Sequence, residues 1–231
     1  MSGPIGRLER IWTATCDSPT DFSSVAKANP MIAVARIAGT TTVHLRGPET
    51  RATTVSCPPG SEYLGAELRL GAYLPMFPPA RLADLRDVVL PTLPDGRILL
   101  DNRAWEVPAP HNVDVFVDRL ERAGLLVVDP LVEALHPGDA GDTGDHGDAG
   151  RRVSERTVQS RFVRAVGLSR RTLHAIERAR HAARLLTAGT AIADVVHEAG
   201  YHDQPHLTRA LRHLIGQTPA VLARSRQFLA L

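Results

Sequence analysis

Thirteen residues near the C-terminal end of the chain carry its clearest structural signal: Gly200-Tyr201-His202-Asp203-Gln204-Pro205-His206-Leu207-Thr208-Arg209-Ala210-Leu211-Arg212. The residues before them, 192–199, have the apolar spacing of a short amphipathic helix, and Gly200 then predicts a turn. A second helix, predicted over 203–215, opens with polar residues and carries arginines along one side. Two short helices joined in this way are typical of a helix-turn-helix, whose second helix lies in the DNA major groove.

The charge distribution divides the chain near residue 150. The formal net charge of all 231 residues is only +2, but residues 151–231 contain fourteen Arg and five acidic residues, a net charge of +9. Residues 1–150 contain thirteen basic and twenty acidic residues, a net charge of −7. This asymmetry favours a polyanion-binding module joined to a partner domain that does not bind polyanions. A solvated helical surface that happens to be basic is the alternative.

Residues 1–111 are predicted to form a mostly β domain. Short apolar stretches at 32–37, 41–45 and 63–70 lie between turn signals such as Gly47-Pro48 and Pro58-Pro59-Gly60. Strands of this length and spacing favour a small barrel or sandwich.

Residues 112–150 are predicted to connect the two halves of the chain. Apolar residues recur there with a helical period, which predicts helices at 113–120 and 130–135. The stretch 138–150 is acidic and rich in Gly and Asp, so it cannot bury enough apolar area to offset the entropy of ordering. We interpret it as a flexible linker or loop. Its aspartates do not follow the order of a calcium-binding loop.

From residue 151 to its end the chain is predicted to be helical. Ser154 is a suitable N-cap for a helix that runs to Val166, and Ser169 is one for a long helix that Gly189 ends. Thr218-Pro219 predicts a last helix with proline at its first position. The long helix would present the two helices at its ends to successive major grooves, about 10 bp apart.

The predicted DNA contacts lie on the second helix of the helix-turn-helix and on the outward side of helix 154–166. Gln pairs bidentately with adenine and Arg with guanine, because their paired groups match the base edges of the major groove. Base reading is predicted for Gln204, Pro205 (which sets the helix start), His206, Arg209, Arg156, Gln159 and Ser160. Phosphate contacts are predicted for Arg161, Arg164, Arg170, Arg171, Thr208 and Arg212. The alternative for His206 and Arg209 is that they are ordinary surface residues.

No catalytic or metal site is predicted. No Ser/His/Asp arrangement, phosphate loop or paired-carboxylate site stands out. His202 and His206 have a metal-ligand spacing on a helix, but the first falls at the turn and the second on the reading face. We therefore expect no enzyme activity, no cofactor and no metal.

The sequence has no apparent signal for export or membrane insertion. Its N-terminus lacks a basic segment followed by an apolar one, and no apolar run reaches ~18 residues. The expected location is the cytoplasm, where Cys16 and Cys57 would be reduced thiols.

The C-terminal third of the chain resembles a known family. Residues 153–226 resemble the DNA-binding domain of AraC/XylS-type bacterial transcription regulators, with the family's spacing held over about a third of the chain. The matching residues are Ser154-Glu155-Arg156-Thr157-Val158-Gln159-Ser160-Arg161-Phe162, Gly167-Leu168-Ser169-Arg170, Arg178, Ala182, Leu185, Leu186, Ile192-Ala193, Gly200 to Leu211, and Gly216-Gln217-Thr218-Pro219. The resemblance implies two helix-turn-helix motifs joined by a long helix.

Three positions depart from the family pattern. Val196 stands where a small Ala is usual, and Pro205 replaces a common Ser. The family has a bracing helix just before Ser154, where this chain has its Gly/Asp run. Because glycine-rich chain does not hold a helix well, the first motif is predicted to be degenerate and weakly supported, and the second to be complete.

The N-terminal half resembles the sensor domain of one AraC-type subgroup, through Trp12, Gly47-Pro48-Glu49-Thr50 and Gly65-Ala66-Glu67-Leu68-Arg69-Leu70-Gly71-Ala72. Such domains are similar to degenerate cupin barrels, and they bind an effector or dimerise. Metal-binding cupins need clustered histidines, whereas this chain offers a lone His44, so neither metal nor cupin activity is expected there.

The sequence therefore predicts an α+β protein: a mostly-β cupin-like barrel at 1–111, a connector at 112–150 and an all-α helix-turn-helix domain at 151–231. Its predicted function is sequence-specific transcription regulation, with promoter or operator double-stranded DNA as partner. A small-molecule effector at the N-terminal domain, RNA polymerase and a second copy of the chain are left open as further partners. The alternative function is a regulator with weakened DNA binding that acts mainly through protein–protein interaction. An enzyme on the barrel is a third hypothesis, with no visible catalytic constellation.

Overall fold

The computed structural model describes residues 6–84, 86–135 and 155–225. As predicted, a mostly β region precedes a helical one. The strands are β1 (Leu8–Cys16), β2 (Thr20–Ser24), β3 (Met31–Ile37), β4 (Thr40–Arg46), β5 (Thr53–Cys57), β6 (Ser61–Leu68), β7 (Ala72–Tyr73), β8 (Val88–Leu90), β9 (Ile98–Leu100), β10 (Arg103–Trp105) and β11 (Val127–Val128). The helices are α1 (Pro79–Leu82), α2 (Val113–Arg122), α3 (Pro130–Leu135), α4 (Glu155–Val166), α5 (Arg170–Thr187), α6 (Ile192–Glu198), α7 (Gln204–Leu214) and α8 (Pro219–Ser225). None of the helices in these ranges is both long and apolar enough to cross a membrane.

Five strands form one antiparallel main sheet in the order β1-β6-β3-β4-β8. The other strands pair two by two, as β2–β5, β9–β10 and β7–β11. The predicted closure into a cupin-like barrel is not seen among the described strands. The main sheet keeps two open edges, because β2 and β5 pair with each other instead of bridging β1 and β8.

The two faces of the main sheet have different neighbours. Successive side chains of a strand point to opposite faces, so alternate residues of β3 have different surroundings. Ile32 and Val34 belong to a buried apolar core that also contains Phe116 of α2. Ala33 and Ala35 instead line a cavity between the main sheet and the β2–β5 ribbon. One face of the main sheet is therefore covered by an apolar core, and the other face borders a cavity.

The helical region has a second core that includes residues of the β region. Leu186 of α5 and Leu207 of α7 are fully buried there. Val25, which follows β2, and Val132 of α3 are buried in the same cluster. The two regions are thus packed directly against each other.

The predicted connector is divided between the two cores. Helix α2 packs on the main sheet and α3 on α4. The predicted Gly/Asp linker at 138–150 and the predicted N-cap Ser154 lie outside the described residues.

Cys16 and Cys57 form a disulfide, which corrects the prediction of two reduced thiols. Their Cα atoms are 6.2 Å apart, within the range that a disulfide requires. The pair forms because Cys57 lies opposite Thr20 in the β2–β5 ribbon, and Cys16 ends the strand just before β2. A sequence separation of 41 residues gives no sign of this proximity.

Candidate nucleic-acid interface

The segment from α6 to α7 forms a helix-turn-helix. Helix α6 ends at Glu198, and the chain turns at Gly200, whose φ of 66° is in the left-handed region that favours glycine. The N–H of Tyr201 donates to the carbonyl of Val196 at 2.8 Å and closes the turn. Helix α7 begins at Gln204. The predicted bounds of both helices are confirmed to within one residue.

Tyr201 holds the turn against the neighbouring helices. The guanidinium of Arg178, on α5, lies 4.6 Å from the centre of the Tyr201 ring, and its Nη1 donates to the carbonyl of Gly200 at 3.4 Å. The imidazole of His206 meets the same ring edge to face, with ring centres 5.1 Å apart. Burial raises the pKa of Tyr201. His206, predicted to read bases, is therefore half-buried, and its ring packs against Tyr201 of the turn.

Asp203 caps the start of α7. Its Oδ1 accepts a hydrogen bond from the N–H of His206 at 2.7 Å, which satisfies one of the free N–H groups at the helix start. This bond, together with the neighbouring His202 side chain, holds the pKa of Asp203 below its ordinary value of 3.8. The cap fixes where α7 begins and which side chains its first turn exposes.

Asp203→Ala is expected to lower the thermal midpoint at pH 7, because α7 loses its cap. The native pKa of Asp203 lies below its unfolded value, so its charge stabilises the fold above about pH 4, and this contribution is lost as the pH falls through the native pKa. The difference between wild type and variant, measured by thermal melts from pH 7 to pH 2.5, should therefore shrink at low pH. Asp203→Asn is the matched control, since Asn also caps and should keep most of the midpoint. A constant difference at all pH values would contradict the role of the charge.

The exposed side of α7 presents most of the predicted contact residues together. Leu207 and Leu211 are fully buried, as predicted, and fix the rotation of the helix. Thr208 is half-buried, and its hydroxyl donates to the carbonyl of Gln204 at 2.9 Å, so the side chain lies along its own helix. The exposed residues are Gln204, Pro205, Arg209 and Arg212. Pro205, Arg209 and Arg212 point away from the buried side of the helix, and Gln204 is exposed in its first turn.

Comparison with known families identifies this region. Residues 151–225 match a family model described as a helix-turn-helix domain. The chain carries an AraC-type helix-turn-helix domain. A domain of this kind is a DNA-binding regulatory domain and not a catalytic one, and it supports a DNA-binding transcription regulator of the AraC type. No curated protein and no solved structure matches the chain.

Within the AraC-type domain, the C-terminal end of α7 is held by the β region. The carbonyl of Leu214 accepts from the N–H of Ala26 at 2.7 Å, and the carbonyl of His213 accepts from the N–H of Ala52 at 2.8 Å. The last carbonyls of a helix have no partner within it, so these two bonds satisfy groups that water or a cap would otherwise have to satisfy. The segments that carry Ala26 and Ala52 are themselves joined by the bridge between Lys27 and Glu49.

Helix α4 presents the second group of predicted contact residues. Its buried side is formed by Phe162, Ala165 and Val166. Four predicted residues are exposed on α4: Arg156, Gln159, Ser160 and Arg164. Of the predicted phosphate residues that follow, Arg170 lies over the ring of Phe162 at 5.7 Å, and both Arg170 and Arg171 are exposed at the start of α5.

The support of α4 comes from elements that the sequence analysis did not assign to this domain. Asp129, before α3, accepts from Nη2 of Arg161 at 2.8 Å, so this predicted phosphate residue is engaged in an ion pair. Gly167, after α4, lies against α1 with a φ of 80°, and a Cβ there would be 2.8 Å from the carbonyl carbon of Pro79. Helices α1 and α3 therefore brace α4 on the sides that face the rest of the protein.

Helix α5 joins α4 to the helix-turn-helix. Ser169 caps it as predicted, its Oγ accepting from the N–H of Thr172 at 3.1 Å. Its 18 residues give it a length of roughly 27 Å at about 1.5 Å per residue. It is a rigid spacer of the kind that the sequence predicts.

Sequence reasoning missed three groups that shape the interface: Arg178, Asp129 and the pair of amides at Ala26 and Ala52. Arg178 matches the linker-helix pattern of the family, but it is 23 residues before Tyr201 in the sequence, so the pattern does not predict that the two side chains stack. Asp129 precedes a predicted helix in a position typical of a cap, which was the one signal that it has a local role.

Proposed function

We propose that this AraC-type regulator reads its operator chiefly with α7. Gln204 and Arg209 would contact base edges in the major groove, with Pro205 fixing the start of the helix and His206 reaching a base edge from the side of Tyr201. The observation that carries the proposal is the capped helix α7, in which Leu207 and Leu211 are buried, Arg209 is exposed on the opposite side and Gln204 is exposed in the first turn.

Helix α4 is proposed as the second reader, through Arg156, Gln159 and Ser160. Support comes from their exposure on one side of a helix whose other side is packed on α1, α3 and α5. The length of α5 suits two contacts in successive major grooves, about 10 bp apart. The remaining proposed contacts are with phosphate, through Arg164, Arg170, Arg171, Thr208 and Arg212, and through Arg161 if its pair with Asp129 is shared with or exchanged for phosphate.

The β region is proposed as the regulatory part, which senses a small-molecule effector or forms a dimer. Its direct packing on α4 and α7 supports this role, because a change in the β region reaches both proposed reading helices over a short distance. Contact with RNA polymerase would follow from activation of a promoter and is tested separately from DNA binding.

The first test is fluorescence anisotropy of the full chain with DNA from upstream of its own gene, against a scrambled duplex, at several salt concentrations. The expected result is a preference of ~10³ or more for the upstream DNA, with an affinity that falls steeply with salt. Equal and weak binding to both duplexes, unchanged by added metabolite extracts, would contradict sequence-specific reading. It would favour the alternative, a regulator that acts mainly through protein–protein interaction.

A further inference from the structure

A cavity of about 300 Å³ lies between the main sheet and the β2–β5 ribbon. Its sheet side includes two small residues, Ala33 and Ala35, with the aromatic rings of Trp12 and Tyr63 beside them. Val55 of the ribbon lines the opposite side. The volume is roughly twice that of a ~150 Å³ cavity that accommodates benzene, so a small bicyclic molecule or an aromatic ring with a side chain fits.

One end of this cavity contains a buried amine that lacks a close acceptor. The side chain of Lys27 is 2% exposed, and its Nζ lies 3.8 Å from Oε1 of Glu49 and 3.9 Å from the sulfur of Met31. Both separations are too long for a strong hydrogen bond. The Glu49 carboxylate is shared, since Oε1 forms an ion pair with Nη2 of Arg46 at 3.0 Å without hydrogen-bond geometry, and Oε2 accepts from the hydroxyl of Ser24 at 2.9 Å. Three N–H donors of Lys27 thus have one shared, distant carboxylate.

A second donor of the cavity lining is also unsatisfied. The indole Nε1 of Trp12 is buried without a hydrogen-bond partner among the described residues. The pair formed by His44 and Asp87, which also lines the cavity, is satisfied, because His44 Nδ1 lies 2.7 Å from Asp87 and His44 Nε2 lies 3.0 Å from the hydroxyl of Thr42. Near Lys27, by contrast, the Glu49 carboxylate lies beyond hydrogen-bond distance of Nζ, which leaves room for a further acceptor with negative charge.

We propose that this cavity binds a small organic carboxylate with a flat apolar body, whose carboxylate accepts hydrogen bonds from Nζ of Lys27 while its body lies over Ala33 and Ala35 between Trp12 and Tyr63. A carboxylate supplies acceptors to a buried ammonium, and a buried charge is costly until it is paired and hydrogen-bonded. The small side chains of the sheet leave the room that the apolar body needs.

The charges around Lys27 agree with an anionic ligand. Burial lowers the pKa of Lys27, and Arg46 and Arg180 act in the same direction, while Glu49 and Glu67 oppose them. A bound carboxylate adds negative charge at Nζ and so favours the ammonium form. At a pH above the pKa of Lys27 in the free protein, binding of the carboxylate is therefore accompanied by proton uptake at Nζ.

The same segment that lines the cavity holds α7, and this link rests on the proposed function of α7. Ser24 and Lys27 line the cavity, and Ala26 between them donates to the carbonyl of Leu214. A ligand that moves Lys27 would act on the backbone that carries Ala26, and so on the end of the proposed reading helix.

The test is isothermal titration calorimetry of the full chain, without DNA, using benzoate and 2-naphthoate, with benzamide and 2-naphthamide as neutral matched ligands. At least one of the two carboxylates is expected to bind about tenfold or more tightly than its amide, as a charge-assisted hydrogen bond contributes. Lys27→Met should abolish this preference for the charged ligand, and Ala33→Leu should abolish binding by filling the cavity. Arg36→Met is the matched control, because Arg36 is an exposed cation on β3, the strand that carries Ala33, and does not line the cavity.

The cavity proposal is overturned if neither of the two carboxylates binds saturably up to about 10 mM. It is equally overturned if amides bind as well as carboxylates, or if Lys27→Met and Arg36→Met have the same effect. Circular dichroism melts establish that all three variants are folded before titration. Because the titration contains no DNA, failure of operator binding does not affect its result, and a negative titration leaves the anisotropy result of the proposed function intact.

Discussion

Arg209→Ala is expected to weaken binding to the operator by about 1–3 kcal/mol and to relax the sequence preference at one base pair. Arg209 is exposed on the side of α7 opposite the buried Leu207 and Leu211. A bidentate pair between guanidinium and guanine is lost in the variant, and Arg212, the other arginine of α7, is proposed to contact phosphate instead. Anisotropy titrations with the operator and with its single-base variants measure both effects.

Arg171→Ala is the matched control for this experiment. Arg171 is an exposed arginine of the same domain, but it lies at the start of α5 and is proposed to contact phosphate. Its removal should weaken binding to all duplexes by a similar factor and reduce the salt dependence by about one phosphate contact. If Arg209→Ala behaves in the same way as Arg171→Ala, base reading by Arg209 is excluded and the residue has an electrostatic role.

Gly65→Ala is expected to destabilise the fold by about 3 kcal/mol, the upper end of the usual cost of overpacking. A Cβ at this position would be 2.2 Å from Cε2 of Trp12, on the neighbouring strand β1. The indole lies directly against the Gly65 backbone, so the ring would have to leave its place. Urea unfolding, followed by circular dichroism, gives the change in the free energy of unfolding.

Two further variants separate this overlap from general effects of a new methyl group. Trp12→Ala combined with Gly65→Ala should cost less than the sum of the two single changes, because the atoms that collide are gone. Gly39→Ala is the control, since Gly39 has no atom within 4 Å of its added Cβ and would suffer only from its φ of 80°. Additive effects of Trp12→Ala and Gly65→Ala would contradict the overlap. Gly65→Ala should also reduce carboxylate binding, because Trp12 lines the cavity.

Much of the DNA-binding region could be predicted because its signals are local. The apolar spacing of α5, the glycine at 200 and the polar start of α7 each act within a few residues, and the structure reproduces the predicted helices closely. The exposed side of α7 follows from the same spacing, since buried Leu207 and Leu211 fix which side chains face away. The caps Ser169 and Asp203 are likewise local, because each accepts a hydrogen bond from the N–H group three residues ahead in the chain.

The β region was predicted less completely because its strands pair over long distances. The apolar stretches indicate strands, but they do not indicate that β2 pairs with β5 and that the main sheet therefore keeps open edges. Closure of the predicted barrel is not seen among the described strands because of this pairing. The disulfide between Cys16 and Cys57 follows from the same pairing. The support of α4 through Asp129 and α1 also depends on how the two regions pack.

The sequence by itself determined a basic helical domain with a helix-turn-helix and the side chains that its second helix exposes. Helix periodicity, capping and turn chemistry depend on neighbouring residues, so a single sequence contains them. Tertiary structure alone decided that Lys27 is buried beside a cavity, that Arg161 is paired with Asp129, and that the end of α7 is held by Ala26 and Ala52. These contacts join residues that are distant in the chain, and their partners are fixed only when strand register and the packing of the two cores are established.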